Sequence, residues 1–137
     1  MRMKGSETVL VVDDDPAILG FIEEEIALHG YRPIIACSAE EALLLAEKEK
    51  IDLLLTDIMM PGMNGVDFAK QFAAINPECK FLFMSGYIQP SIAQQGIPEN
   101  EYAFVQKPFA PNILVRKMRH VLSGPSGFNW LEDSQPE

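Results

Sequence analysis

The sequence predicts an α/β fold built on a parallel sheet covered by helices on both faces. Two observations carry this. Five short apolar runs alternate with helical patterns along the chain. The runs are continuously apolar rather than alternating with polar residues, as expected of strands buried on both sides. The predicted strands are roughly 8–13, 32–36, 52–57, 80–85 and 102–106. At 137 residues the chain is long enough for one domain with a full core.

Each element has a local signal. The first strand, Thr8-Val-Leu-Val-Val12, runs into Asp13-Asp14-Asp15. Pro16 then occupies a favoured first-turn position, Ile18, Ile22 and Ile26 recur at helical spacing, and Gly30 follows the helix end. Ser38-Ala-Glu-Glu41 is a capping box, hydroxyl and carboxylate exchanging bonds with free backbone amides, and opens a helix through Leu43–Leu45. Asp52-Leu-Leu-Leu-Thr56 runs into Asp57, and Phe68, Phe72 and Ile75 line the third helix. Phe81-Leu-Phe-Met84 runs into Ser85-Gly86. A fourth helix over 88–95, squeezed between Pro90 and Gly96-Ile-Pro98, is short or irregular. Tyr102-Ala-Phe-Val-Gln106 runs into Lys107-Pro108, and the last helix opens at Pro111 with Leu114, Met118, Val121 and Leu122 on one face. These apolar stripes are core. Residues 1–7 form a flexible N-terminus, 8–122 the domain and 123–137 a linker-like tail. Within the tail, Phe128, Trp130 and Leu131 dock on the domain or a partner, or stay disordered.

Composition excludes several classes. With 47% hydrophobic and 23% charged residues the chain reads as an ordinary soluble globular protein, and no apolar stretch approaches the ~20 residues that span a bilayer, so no membrane contact is expected. Met1-Arg-Met-Lys-Gly lacks the apolar region of a signal peptide. Cys37 and Cys79 form no CxxC pattern and read as core fillers in a reducing, cytoplasmic setting. His29 and His120 are isolated, which leaves zinc without support. A net charge of −9 argues against nucleic-acid binding.

The strand-ending polar residues converge. In an open parallel sheet, ligands sit beyond the carboxyl ends of the strands where the strand order reverses. Four predicted strands end in candidate chemistry, whereas the second ends in Cys37-Ser38, with Ser38 already used as a cap. Placing that strand at the edge yields the order 2-1-3-4-5 and brings Asp13, Asp14 and Asp57 together. Singly, each is ordinary: the acidic pair suits a solvated turn, and Asp57 or Ser85 suits a structural cap. Together, three crowded carboxylates require a cation, and a hard divalent ion answers this, since Mg²⁺ takes one or two carboxylates and completes its octahedron with water and phosphate oxygens. Proline at 108 forces Lys107 out of the helical region, and a cis Lys107–Pro108 bond would turn the ammonium toward the carboxylates; the plain alternative is that proline only separates strand from helix. A carboxylate pair, a lone carboxylate, a hydroxyl and a lysine are the parts of a metal-dependent phosphate site.

These motifs resemble the receiver domain of bacterial two-component response regulators. The resemblance covers residues 8–122 through Val-Val-Asp-Asp at 11–14, Thr-Asp-Ile-Met-Met-Pro-Gly-Met-Asn-Gly at 56–65, Met-Ser-Gly at 84–86 and Val-Gln-Lys-Pro-Phe at 105–109. It implies a flavodoxin-like (βα)5 three-layer sandwich with the same strand order, which the chemotaxis member of the family has.

Residue by residue, the resemblance implies Asp57 as the phosphoacceptor, Asp14 as a direct Mg²⁺ ligand and Asp13 as a contributor mostly through a bound water. The backbone carbonyl of Met59 would be a further ligand, and Mn²⁺ a substitute ion. Ser85 resembles the hydroxyl that bonds the phosphoryl oxygen, and Lys107 the lysine that pairs with the carboxylate at rest and the phosphoryl group afterwards. Phe104 stands at the switch aromatic, where many members carry tyrosine; without a phenol only a packing switch survives. Met59 and Tyr87, two residues past Asp57 and Ser85, are bulky and neutral where side chains flank the attacking water, and are expected to modulate phosphoryl lifetime. The implied partner is a histidine kinase or a histidine phosphotransfer protein. The implied readout is the surface of the fourth helix, fifth strand and fifth helix, which would also serve a homodimer. The implied activity is that of a phosphoacceptor signalling domain, with slow self-phosphorylation and self-dephosphorylation only.

Nothing in residues 123–137 is expected to form an output domain such as a helix-turn-helix or a cyclase. Gly5–Asp14 and Phe83–Tyr87 resemble the C-terminal receiver of hybrid sensor histidine kinases; the alternative is a stand-alone regulator. Arg116, Lys117, Arg119 and His120 give the last helix a basic face, either simply solvated or a dock for an acidic partner. A reading from another class is a haloacid-dehalogenase-type phosphatase with Asp13 as nucleophile and Asp15 as general acid. That family needs an acidic pair after the lysine, and here only Glu132-Asp133 in the tail is available.

Overall fold

The computed structural model describes residues 7–57, 59–60, 63–85, 104–107 and 109–123. In chain order the elements are β1 (Thr8–Val12), α1 (Pro16–Leu28), β2 (Arg32–Ala36), α2 (Ala39–Lys48), β3 (Leu53–Asp57), β4 (Met59–Met60), β5 (Met63–Asn64), α3 (Gly65–Ile75), β6 (Lys80–Ser85), β7 (Phe104–Gln106) and α4 (Pro111–Ser123). Five strands form one sheet in the order β2-β1-β3-β6-β7, every neighbouring pair parallel. Counting only these five, that is the predicted order 2-1-3-4-5, with β2 at an edge. The short β4 and β5 form a separate antiparallel pair, Met59 opposite Asn64. The predicted helix over 88–95 and the tail beyond Ser123 lie outside the described residues.

Alternation along the strands builds two cores. Leu10, Val12, Leu54, Phe81 and Phe83 face one side with α2 and α3, where Phe68, Phe72 and Phe81 meet edge to face in succession. Val9, Val11, Leu53, Leu55, Leu82 and Met84 face the other with α1 and α4. This is the expected three-layer sandwich.

Local chemistry sets the ends. Asp15 caps α1, its Oδ1 accepting from the Ala17 amide at 3.0 Å ahead of Pro16. At the other end the amides of Gly30 and Tyr31 donate back to the carbonyls of Ala27 and Ile26, and Gly30 takes φ 91°, a left-handed stop that favours glycine. The box at Ser38 forms with a shift: Ser38 Oγ accepts from the Glu41 amide, while Glu41 Oε1 accepts from the Cys37 amide rather than that of Ser38. Asp13 and Asp52, predicted inside strands, lie just outside them. Asp52 Oδ2 accepts from the Thr8 amide at 2.8 Å and ties the foot of β3 to that of β1.

Several expected core residues are corrected. Ile75, at the last position of α3, is 37% exposed, and the helix buries Phe68, Ala69, Phe72 and Ala73 instead. In α2 the buried positions are Ala39, Ala42 and Ala46, with Leu43 and Leu45 only packed against the core margin. In α1 Leu19 is buried with Ile22 and Ile26, while Ile18 is partly covered. Cys79 is buried as expected, but Cys37 is exposed, because it follows the edge strand and precedes a cap. No helix among the described residues is long and apolar enough to cross a membrane.

Candidate functional site

Adjacent parallel strands carry their ends to one rim. Val12 pairs with Thr56, so Asp13 and Asp57 emerge next to each other from β1 and β3. Asp57 in turn pairs with Met84 and Ser85 with Gln106, which places Ser85 and Lys107 along the same rim.

Asp13 is 1% exposed and fixed on three sides. Its amide donates to the Ala36 carbonyl at 3.3 Å, its Oδ1 accepts from the Asp15 amide at 2.9 Å, and its Oδ2 accepts from Lys107 Nζ at 2.6 Å. Asp57 is 8% exposed and its Oδ2 accepts from the same ammonium at 2.7 Å. Asp14 is exposed at the mouth. Lys107 therefore bridges the two buried carboxylates from the far side of the sheet, across the end of β6. With strands spaced about 4.8 Å apart, only a long side chain covers that interval.

Burial pulls the Lys107 pKa down, but its hydrogen bonds to Asp13 and Asp57, reinforced by their charges, outweigh it and hold the ammonium above its usual value. One ammonium among three carboxylates leaves a formal charge of −3 + 1 = −2. Oxygen atoms of Asp13, Asp14 and Asp57 lie within 4.8 Å of one another, the one cluster of this kind among the described residues. An all-oxygen donor set with a surplus of two negative charges fits a hard divalent cation. Both oxygens of Asp13 already accept bonds, which suits contact through a water better than direct ligation.

The structure thus brings together Asp13, Asp14, Asp57 and Lys107, all singled out from the sequence. Ser85, Phe104 and Met59 are placed by backbone only, in β6, β7 and β4. Their side chains, together with Tyr87 and the predicted cis bond to Pro108, lie outside what is described. What sequence reasoning missed is Asp15. The sequence offered it only as the general acid of the phosphatase reading; here its carboxylate caps α1 while its amide holds Asp13. An acidic residue directly before Pro16 was the available signal.

Comparison with known proteins agrees with this geometry. Residues 9–119 match the family model for the response regulator receiver domain. The sensor kinase CckA of Brucella abortus is 30% identical over 122 residues, covering 88% of this chain and 13% of that protein. The chain therefore spans about an eighth of the length of that curated relative. Among solved structures, the chemotaxis protein CheY4 of Vibrio cholerae is 27% identical with a TM-score of 0.77, covering 85% of this chain and 98% of that one. The receiver domain from the hybrid histidine kinase CckA is 28% identical with a TM-score of 0.71, covering 84% and 98%.

Proposed function

The chain belongs to the response regulator receiver domain family, a signalling domain, and on that premise we propose that Asp57 accepts a phosphoryl group from the phosphohistidine of a sensor kinase or a phosphotransfer protein. The observation that carries this reading is the Lys107 ammonium held 2.6 Å and 2.7 Å from Asp13 and Asp57 at the switch point of the sheet.

An Asp57 oxygen forms the new O–P bond as the P–N bond to the donor imidazole breaks. Lys107 neutralises charge on the transferring oxygens, and the low-dielectric rim strengthens that effect. Asp14, Asp57 and the Met59 carbonyl would hold Mg²⁺, or Mn²⁺ in its place, with Asp13 reaching it through water. When bound, the ion supplies further charge neutralisation on the phosphoryl oxygens. Once Asp57 carries the phosphoryl group, Lys107 transfers its bond to a phosphoryl oxygen and loosens from the carboxylate. Ser85 follows the same oxygen, and Phe104 repacks into the space it leaves. The signal then passes to the surface of the predicted fourth helix, β7 and α4, where a homodimer would form. Hydrolysis resets the domain, at a rate set by Met59 and Tyr87. The domain is taken as residues 8–122, its ends left to linkers. Likeness to the receiver of a hybrid kinase supports a kinase-attached origin over a stand-alone regulator, and the gene sequence upstream of Met1 distinguishes them.

Intact mass after incubation with Mg²⁺ and acetyl phosphate tests the chemistry. One added phosphoryl group is expected in the wild type, and none in Asp57→Asn or in the presence of EDTA. An adduct lost only in Asp13→Asn would instead identify the phosphatase-type nucleophile.

A further inference from the structure

The ladder between β1 and β2 ends at the rim, and its last rung belongs to the candidate site. Val12 pairs with Ala36, and one residue further on the Asp13 amide donates to the Ala36 carbonyl. At 3.3 Å this bond is longer than the usual range of about 2.7–3.2 Å. It nevertheless fixes the backbone of a residue that is 1% exposed and whose two carboxylate oxygens are bonded to the Asp15 amide and to Lys107.

The opposite edge of the same peptide is held as well. The Ala36 carbonyl and the Cys37 amide belong to one planar unit, so where one edge points fixes where the other points. The Cys37 amide donates to Glu41 Oε1 at 2.8 Å, the short distance of a bond to an ionised acceptor. In a capping box the carboxylate returns to the amide of the cap residue, here Ser38. Ser38 Oγ accepts from the Glu41 amide at 3.1 Å, so α2 has its start, yet the Glu41 carboxylate reaches past Ser38 to the peptide that meets Asp13. An anionic acceptor on the N–H edge also polarises the group and strengthens its carbonyl as an acceptor, by roughly 10–30% per linked bond. A weak final rung is thereby supported from the side away from the site.

We propose that Glu41 is a positioning residue for the metal site: by clamping the Ala36–Cys37 peptide it fixes the last rung of the ladder and with it the backbone from which Asp13 projects. Glu41 itself touches neither the ion nor the phosphoryl group. The inference rests on the reading of Asp13 as a contributor to Mg²⁺ binding, whereas the clamp is a property of the metal-free chain.

Amide resonances of the metal-free full chain test the clamp directly. In Glu41→Ala the amide protons of Cys37 and Asp13 should both move upfield, Asp13 being reached only through the shared peptide. Glu41→Gln keeps an acceptor oxygen without the charge, and its shifts should lie between those of Glu41→Ala and the wild type. The Kd for Mg²⁺ alone, from a resonance titration, should rise about threefold in Glu41→Ala and recover in large part in Glu41→Gln; this is less than the roughly 10–100-fold for partners bonded directly to a metal ligand, because a peptide and a water intervene. Gly30→Ala, which weakens the fold ahead of the other end of β2, should leave the Asp13 amide and the Kd unchanged. An Asp13 amide that stays in place in Glu41→Ala, or moves equally in Gly30→Ala, would overturn the proposal and reduce Glu41 to a helix cap. An unchanged Kd beside a shifted amide would overturn it too, since the clamp would then not serve the site. A wild-type chain that binds no Mg²⁺ would overturn the reading of the site and the role of Glu41 with it, a failure visible before any variant is made.

Discussion

Lys107 holds together two carboxylates that would otherwise repel across a few ångströms, and its removal should be felt twice. Its side chain is 17% exposed, so the pair is largely shielded from solvent. Lys107→Met removes the ammonium bonded to two buried carboxylates and should cost about 3 kcal/mol in urea unfolding without Mg²⁺. Excess Mg²⁺ should recover more stability in the variant than it adds to the wild type, because the variant has the greater surplus of negative charge. The pH dependence has a definite sign. A folded-state pKa raised above the unfolded value gives stability that is fully present below about pH 10.4 and is lost only as pH rises through the folded value. The difference between wild type and Lys107→Met should therefore be flat from neutrality to about pH 9 and shrink above pH 10.4. The two thiols separate as clearly. Glu41, by hydrogen bond and by charge, holds the exposed Cys37 thiol above its ordinary range, and burial does so more strongly for Cys79. A thiol reagent should titrate one cysteine in the native protein, slowly, and two in denaturant. Asp13, Asp14, Asp57 and Lys107 were legible because a polar group after an apolar run has few places to go in a parallel sheet, whereas the hold of Asp15 on Asp13 was not. The double grip of Lys107 was not, since it depends on reach across β6 rather than on any spacing in sequence.

Among the elements, α1 is specified most fully by its ends. Asp15 and Pro16 start it, and Gly30 stops it with a backbone angle that a side chain resists. Gly30→Ala should cost about 1–2 kcal/mol, read as a lower thermal midpoint, without altering phosphorylation. The buried faces of the helices were less legible. Sequence patterns weight leucine and isoleucine heavily, yet α2 lies on the sheet through Ala39, Ala42 and Ala46, whose small side chains permit close approach. Leu44 is pushed out to solvent by the same geometry. Ile75 fails for another reason: it closes α3, where the helix is already leaving the core.

Across the whole molecule the two cores share a single sheet, so damage to one layer is transmitted to the other. Phe72 sits at the centre of the aromatic row between Phe68 and Phe81 and is fully buried. Phe72→Ala should destabilise by about 3–5 kcal/mol. A single cooperative transition is expected in both variant and wild type, by fluorescence and circular dichroism alike. Strand order was legible at this scale because the second strand ends without chemistry, and the edge is the position that chemistry can spare.

That edge strand has a further effect on how copies of the chain meet. Pro33 is the second residue of β2 and has no amide hydrogen to offer, while the exposed Arg32 beside it reaches Glu49 at 2.9 Å. A foreign strand laid along this border would find a missing donor and a charge to strip of water. The sheet is therefore protected against lengthening from chain to chain on this side, and the molecule resists aggregating in that direction.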